Sequence, residues 1–270
     1  MRNFVYYFVQ IAGLSLHFSI AEPIRGDNVF AVKEGEFPFV VALITKTNCD
    51  IICTGVLISE RHVLTAAHCF EEFQPNDTQV VLGSVDLTIG TRYNVSKWIT
   101  YAEWLNMTGI VNVPREMDVA IVKLLEDVDN NVAPAKLSKK TRSTLYQRNV
   151  TVLGWGQTSL DSTEKPRYLK KARVTVLKKE QCEHLVLNLT NEQIFVDKTI
   201  FCTKTEPFAV MSCGDSGGPI VSEKGSVVGI NVGICPEQSL MSQHQINLVM
   251  NVHEIVVASM TFIKDILRNF

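Results

Sequence analysis

No stretch of this 270-residue chain concentrates Lys and Arg, and its formal charge is -2 with a pI near 6.3. A surface built to neutralise phosphates is therefore absent, which excludes nucleic acid as the partner. No two of the seven cysteines stand in Cys-x-x-Cys spacing, so the usual layout of a structural zinc site is missing as well. Beyond the first twenty or so residues no apolar run reaches bilayer length. The chain also has no internal repeat and no low-complexity tract.

What is present begins with Arg2, an apolar run from Phe4 to Ile20, and the small residues of Ser19-Ile20-Ala21 at cleavage offsets. These read as a signal peptide over 1–21. Gln10, Ser15 and His17 interrupt the run and speak against a membrane anchor. The expected location is extracellular, with no membrane partner. Sequons at Asn76, Asn94, Asn106, Asn149 and Asn188 would be usable on that route. Seven cysteines fit an oxidising compartment, and their odd number leaves one thiol over.

From Phe37 onward short runs rich in Val and Ile alternate with turn residues: Phe39 to Ile44, Gly55 to Ile58, Val80 to Leu82, Val119 to Leu124, Val150 to Leu153, Ile220 to Val221, Val227 to Ile230. Such runs predict strands of an all-β protein. From His253 onward, Ile255, Phe262, Ile263 and Ile266 recur near helical spacing, predicting a closing helix over about 253–268. The polar stretch Asp129 to Arg148 is read as a linker between two β units or as a long solvated loop.

Three segments carry chemistry: Leu64-Thr65-Ala66-Ala67-His68-Cys69, Met117-Asp118-Val119-Ala120-Ile121 and Cys213-Gly214-Asp215-Ser216-Gly217-Gly218-Pro219. A serine hydroxyl needs an imidazole to take its proton, and the imidazole needs a carboxylate to fix its tautomer. His68, Asp118 and Ser216 are the candidates for base, orienting acid and nucleophile. Backbone without Cβ around Ser216 lets the Gly214 and Ser216 N–H groups converge on a developing oxyanion.

Together with Gly35-Glu36-Phe37-Pro38-Phe39 and Gly154-Trp155-Gly156, these segments make the chain resemble the trypsin/chymotrypsin family of serine proteases, and within it the chymotrypsin-like enzymes of insects. The resemblance implies two six-stranded antiparallel β-barrels, over about 37–130 and 149–252, with the active site between them. It implies bridges Cys53–Cys69, Cys182–Cys202 and Cys213–Cys235, with Cys49 left over. It implies no cofactor and protein or peptide substrates, with serine protease inhibitors as further partners of a monomer.

In the family, proteolysis of a zymogen frees an Ile or Val ammonium that pairs with the acid beside the serine, here Asp215. Ile24-Arg25-Gly26-Asp27 resembles that new terminus, but Pro23 replaces the basic residue cleaved by trypsin-like enzymes. Removal of a Glu22-Pro23 dipeptide by an X-Pro dipeptidyl peptidase is the expected activation step. The pocket base falls on Val210, or on Met211 because Cys213 directly precedes Gly214 where the family has an intervening residue. Gly233 and Asn247 are the expected walls. An apolar base cannot compensate a cation for lost hydration, so apolar P1 residues are expected, chymotrypsin-like or elastase-like. Asp86 stands without a second acid between Gly83 and Trp98, so no metal is expected. The competing reading is a catalytically silent homologue that works as a binding protein.

Overall fold

The computed structural model describes residue 24 and residues 28–111, 113, 115–129, 131–156, 166–204, 209–235 and 249–270. The leader, the Glu22-Pro23 dipeptide and Asn247 lie outside the described residues. Six strands form a closed antiparallel barrel, β2 (Val40–Thr45), β3 (Ile51–Ser59), β4 (His62–Thr65), β5 (Thr78–Leu82), β6 (Thr91–Thr100) and β7 (Ala120–Leu124), in the order β2-β3-β4-β7-β6-β5. Side chains alternate across a strand, and β2 shows the consequence. Val41 and Leu43 join an apolar cluster whose buried members all lie between 41 and 128, while Val40, Ala42 and Ile44 join another that reaches Leu153, Trp155 and Phe262. Both faces of β2 are thus spent on packing, one within the barrel and one between the halves.

The second half is a seven-stranded sheet, β1 (Val29–Ala31), β8 (Asn149–Gly154), β9 (Lys170–Thr175), β10 (Ile200–Lys204), β11 (Pro219–Ser222), β12 (Val227–Cys235) and β13 (Met250–Ile255), ordered β1-β9-β8-β11-β12-β13-β10. The expected second closed barrel is not formed among the described residues. A single bridge, Val176 to Thr203, brings the segment after β9 against β10, but no ladder seals the sheet. The helices are α1 (Tyr101–Thr108), with a Thr100/Glu103 capping box, α2 (Arg142–Leu145), α3 (Lys179–Thr190) and α4 (Met260–Asn269).

The closing helix starts later than its apolar spacing suggests. His253 and Ile255 belong to β13, a central strand with neighbours on both sides and all six residues buried. A ³₁₀ turn at Val256–Ser259 then leads into α4. The linker expected over 129–148 is stitched to both halves. Ala135 N–H donates to Leu57 O and Ser138 N–H to Val227 O, each at 2.8 Å.

Candidate active site

His68 sits in the ³₁₀ turn Ala67–Phe70 that ends β4, and the Cys53–Cys69 disulfide ties that turn to β3. Asp118 lies just before β7, on a stretch fixed by buried Met117 and Val119 and by Tyr101 N–H donating to Val119 O at 2.8 Å. β4 and β7 are adjacent in the barrel, which brings imidazole and carboxylate together. His68 Nδ1 lies 2.7 Å from Asp118 Oδ2, and His68 N–H donates to Oδ1 at 2.9 Å. A carboxylate only accepts, so the ring proton sits on Nδ1 and the neutral ring presents Nε2 as a bare acceptor. Desolvation opposes the imidazolium, but the charge and hydrogen bond of Asp118 outweigh it and raise the His68 pKa above 6.5. Burial likewise opposes the Asp118 carboxylate. The His68 ring and the neighbouring N–H groups overcome that cost and hold its pKa below the ordinary value.

Ser216 comes from the second half, in the loop before β11. Its carbonyl accepts from Thr54 N–H of β3 at 2.9 Å. Gly217, at φ +75°, is pressed so closely on the first barrel that a Cβ there would lie 2.0 Å from Thr65 Oγ1 and 2.8 Å from Ala66 N. The loop carrying Ser216 thereby abuts the segment carrying His68. Among the described residues no hydrogen bond joins Ser216 Oγ to His68. The neighbouring amides are arranged unequally. Asp215, Gly217 and Gly218 N–H all donate within the fold, whereas Gly214 and Ser216 N–H, among the described residues, have no acceptor. Thr54 Oγ1 donates to Gly214 O at 2.6 Å and fixes that peptide.

Asp215 is fully buried. Its carboxylate accepts from Gly156 N–H (2.9 Å), Ser212 N–H (3.0 Å) and the Ile24 backbone, and Ile24 is itself buried. Desolvation dominates those hydrogen bonds and pushes the Asp215 pKa up to about 7. The Gly154-Trp155-Gly156 motif finds its reason here. A Cβ on Gly154 would stand 2.0 Å, and one on Gly156 2.5 Å, from the Asp215 carboxylate oxygens.

The two candidates for a pocket base divide by register. Ala209 and Met211 pack into the same apolar cluster as Ile24 and Leu145, while Val210, equally buried, joins none of the core clusters formed among the described residues. Alternation along extended chain turns Val210 to the opposite side. Asn251, unnoticed in the sequence, clamps this segment by accepting from Met211 N–H (2.9 Å) and donating to Ala209 O (3.0 Å). Gly233 lies on β12 at φ +158°.

Cys53–Cys69 and Cys182–Cys202 are bonded as the resemblance implies, and Cys49 carries no disulfide. The third implied bridge, Cys213–Cys235, is not formed. The Cys213 side chain, directly before Gly214, is exposed, and Ser212 beside it has its Oγ buried and, among the described residues, without a hydrogen-bond partner. Cys235 is buried beside Cys182, Cys202 and Met250, and burial pushes its thiol up to about 12. Asp86, the acid read against a metal, is gripped by Arg167 at 2.7–3.0 Å, and this cation together with Thr88 holds its pKa well below the ordinary value.

One group of charges escaped the sequence reading. Glu254 on β13 accepts from Asp118 N–H at 3.1 Å and from Arg115 Nη2, and Arg115 Nε reaches Thr199 Oγ1 at 3.2 Å. The Arg115 and Glu254 side chains are only 5% and 1% exposed. Burial, against the pull of Arg115, raises the Glu254 pKa to about 7.

A closed six-stranded barrel, a second antiparallel sheet and a C-terminal helix, with the acid–imidazole pair on one half and a glycine-framed serine on the other, define the chymotrypsin-like fold. A family model described as Trypsin matches residues 27–254, and the chain belongs to that family. It is 31% identical over 183 residues to human Serine protease 41, covering 64% of this chain and 56% of that protein, so it spans little more than half of that relative's length. It is 31% identical over 207 residues to Venom serine protease of Polistes dominula, covering 74% and 70%. Among solved structures it resembles a scabies mite inactivated protease paralogue, with a TM-score of 0.71 at 21% identity over 89% of this chain and 97% of the other.

Proposed function

We propose that the chain is a secreted serine endopeptidase that cleaves through an acyl-enzyme on Ser216. His68 is its base, Asp118 the orienting acid, and the Gly214 and Ser216 amides its oxyanion donors. The observation that carries this reading is the 2.7 Å contact between His68 Nδ1 and Asp118 Oδ2, which leaves Nε2 as the proton acceptor. The Gly214 and Ser216 amides, which have no acceptor among the described residues, support it. Val210 as pocket base favours apolar P1 residues, because an apolar side chain does not compensate a buried cation. Activation follows from removal of Glu22-Pro23, after which the Ile24 ammonium pairs with Asp215. An intact Glu22 terminus on fully active secreted protein would refute that route.

The experiment is labelling with a fluorophosphonate probe, which reacts only with an activated serine. Wild type is expected to label and Ser216→Ala to stay unlabelled; cleavage of a mixed peptide library then reads the P1 preference. That no hydrogen bond joins Ser216 Oγ to His68 among the described residues, together with the exposed Cys213, favours one second reading, a silent homologue that binds a partner. Folded, correctly trimmed wild type that takes no label would establish it instead.

A further inference from the structure

His68 and Asp118 belong to the first barrel and Ser216 to the second half, so proton transfer between them depends on how the two halves are held at that point. A small displacement of reacting groups costs up to about a hundredfold in rate. Directly behind Asp118 the halves are joined by a charged tie. Glu254 stands on β13 between β10 and β12, deep in the second sheet. Its Oε1 accepts both Arg115 Nη2 and the Asp118 N–H, which belong to the chain entering β7 of the first barrel. Thr199, just before β10, takes the Arg115 Nε.

An isolated ion pair this deep is an unpromising way to stabilise a fold, since desolvation offsets most of the attraction. Here Glu254 Oε2 and Arg115 Nη1 also lack hydrogen-bond partners among the described residues. Apolar side chains of similar volume would serve packing as well or better. What apolar side chains cannot supply is an acceptor for the Asp118 amide.

We propose that Glu254 is a positioning residue for the reaction: its Oε1, held by Arg115, fixes the Asp118 backbone of the first barrel to the second half and so sets the Asp118–His68 pair against Ser216. This rests on the protease reading above. The other ionisable groups around the tie are Asp118, His68 and Glu71 of the first barrel, Tyr101 at the start of α1, and Asp197 before β10.

The test compares Glu254→Gln with Glu254→Met in the full, trimmed chain. Both remove the same negative charge, but only Gln keeps an oxygen for the Asp118 N–H. The fluorophosphonate labelling rate is expected to stay within about threefold of wild type in Gln and to drop at least about tenfold in Met. The His68 pKa, read by NMR, should lie about one unit lower in Met than in Gln as the Asp118 contact loosens. A double variant, Arg115→Met with Glu254→Met, removes the unpaired cation and should recover the wild-type Tm while labelling slowly. Equal rates and equal His68 pKa values in Gln and Met would overturn the proposal, as would a double variant that recovers both Tm and rate. If wild type itself takes no label, the protease reading fails, and the His68 difference between the two variants still decides whether Glu254 positions the pair.

Discussion

Thr54 shows how much one hydroxyl can be asked to hold. Its Oγ1 donates to Gly214 O at 2.6 Å and accepts from Trp155 N–H at 3.2 Å, so it holds the peptide between the two amides of the proposed oxyanion site together with the motif around Asp215. Thr54→Val keeps the shape but strands both partners in a buried setting. The expected cost is about 1–3 kcal/mol, read as a fall in denaturant midpoint, with kcat reduced more than KM because the Gly214 peptide is freed. Asp215 makes a second residue-scale prediction through pH. With Ile24 still in peptide linkage, burial raises the Asp215 pKa from 3.8 to about 7. Between those values the unfolded chain loses its proton while the folded one keeps it, so stability falls as pH rises from about 4 to about 7. An ammonium at Ile24 favours the carboxylate and removes that fall. Thermal unfolding from pH 4 to 8 should thus show a declining Tm in the uncut chain and a shallower decline in the chain beginning at Ile24, where the raised pKa values of Glu254 and His68 still contribute. Asp215→Asn should make the decline of the uncut chain shallower; an unchanged slope in that variant would assign the effect to Glu254 and His68.

At the scale of elements, the glycines before and after Trp155 make room for an acid some sixty residues away, since Gly156 N–H bonds Asp215 across a separation of 59. Gly156→Ala sets a Cβ against the Asp215 carboxyl group at 2.5–2.8 Å and can be accommodated only by moving it. Overpacking of this kind costs about 1–3 kcal/mol. The labelling rate should fall with it, while the same change at Gly225, where a Cβ meets nothing within 4 Å, leaves the rate untouched despite its backbone strain. Much at this scale was legible in the sequence, because the Val- and Ile-rich runs are strands buried on one or both faces. All seven fall on β2, β3, β5, β7, β8, β11 and β12. Strands such as β6 and β9, with Arg92, Asn94 and Lys97 or Lys170, Lys171 and Arg173, carry polar residues that blur the apolar signal. The end of β13, His253 to Ile255, falls within the expected helix because its buried positions leave no alternation to count. The candidate residues of the site were legible from local motifs. Glu254 and Arg115 were not, since they are 139 residues apart and only the packing of two halves makes them neighbours. The preference for Val210 over Met211 as the proposed pocket base likewise rests on register, with Met211 and not Val210 joining the cluster around Ile24.

For the whole molecule, the apolar cluster containing Val40, Ile121, Trp155 and Phe262 crosses from barrel to sheet to α4 and makes the halves interdependent. Phe262, fully buried, stacks edge-on against Tyr101 at 5.6 Å and tilts against Trp104 at 5.5 Å. Phe262→Ala should cost about 3–5 kcal/mol and lower Tm by roughly 10 °C. Calorimetry should still show one transition. Two resolved transitions would mean that barrel and sheet unfold separately and that the shared cluster matters less than its composition implies.

The stretch between the halves is sewn down just before its exposed Lys139 and Lys140, through Ala135 to Leu57 and Ser138 to Val227, and just after them through Arg142 Nη1, which donates to the carbonyls of Val196, Asp197 and Ile200. Severing the backbone at those lysines would therefore not part the molecule. The two pieces have every reason to remain in one particle, and a gene split at that point should yield fragments that reassemble when produced together.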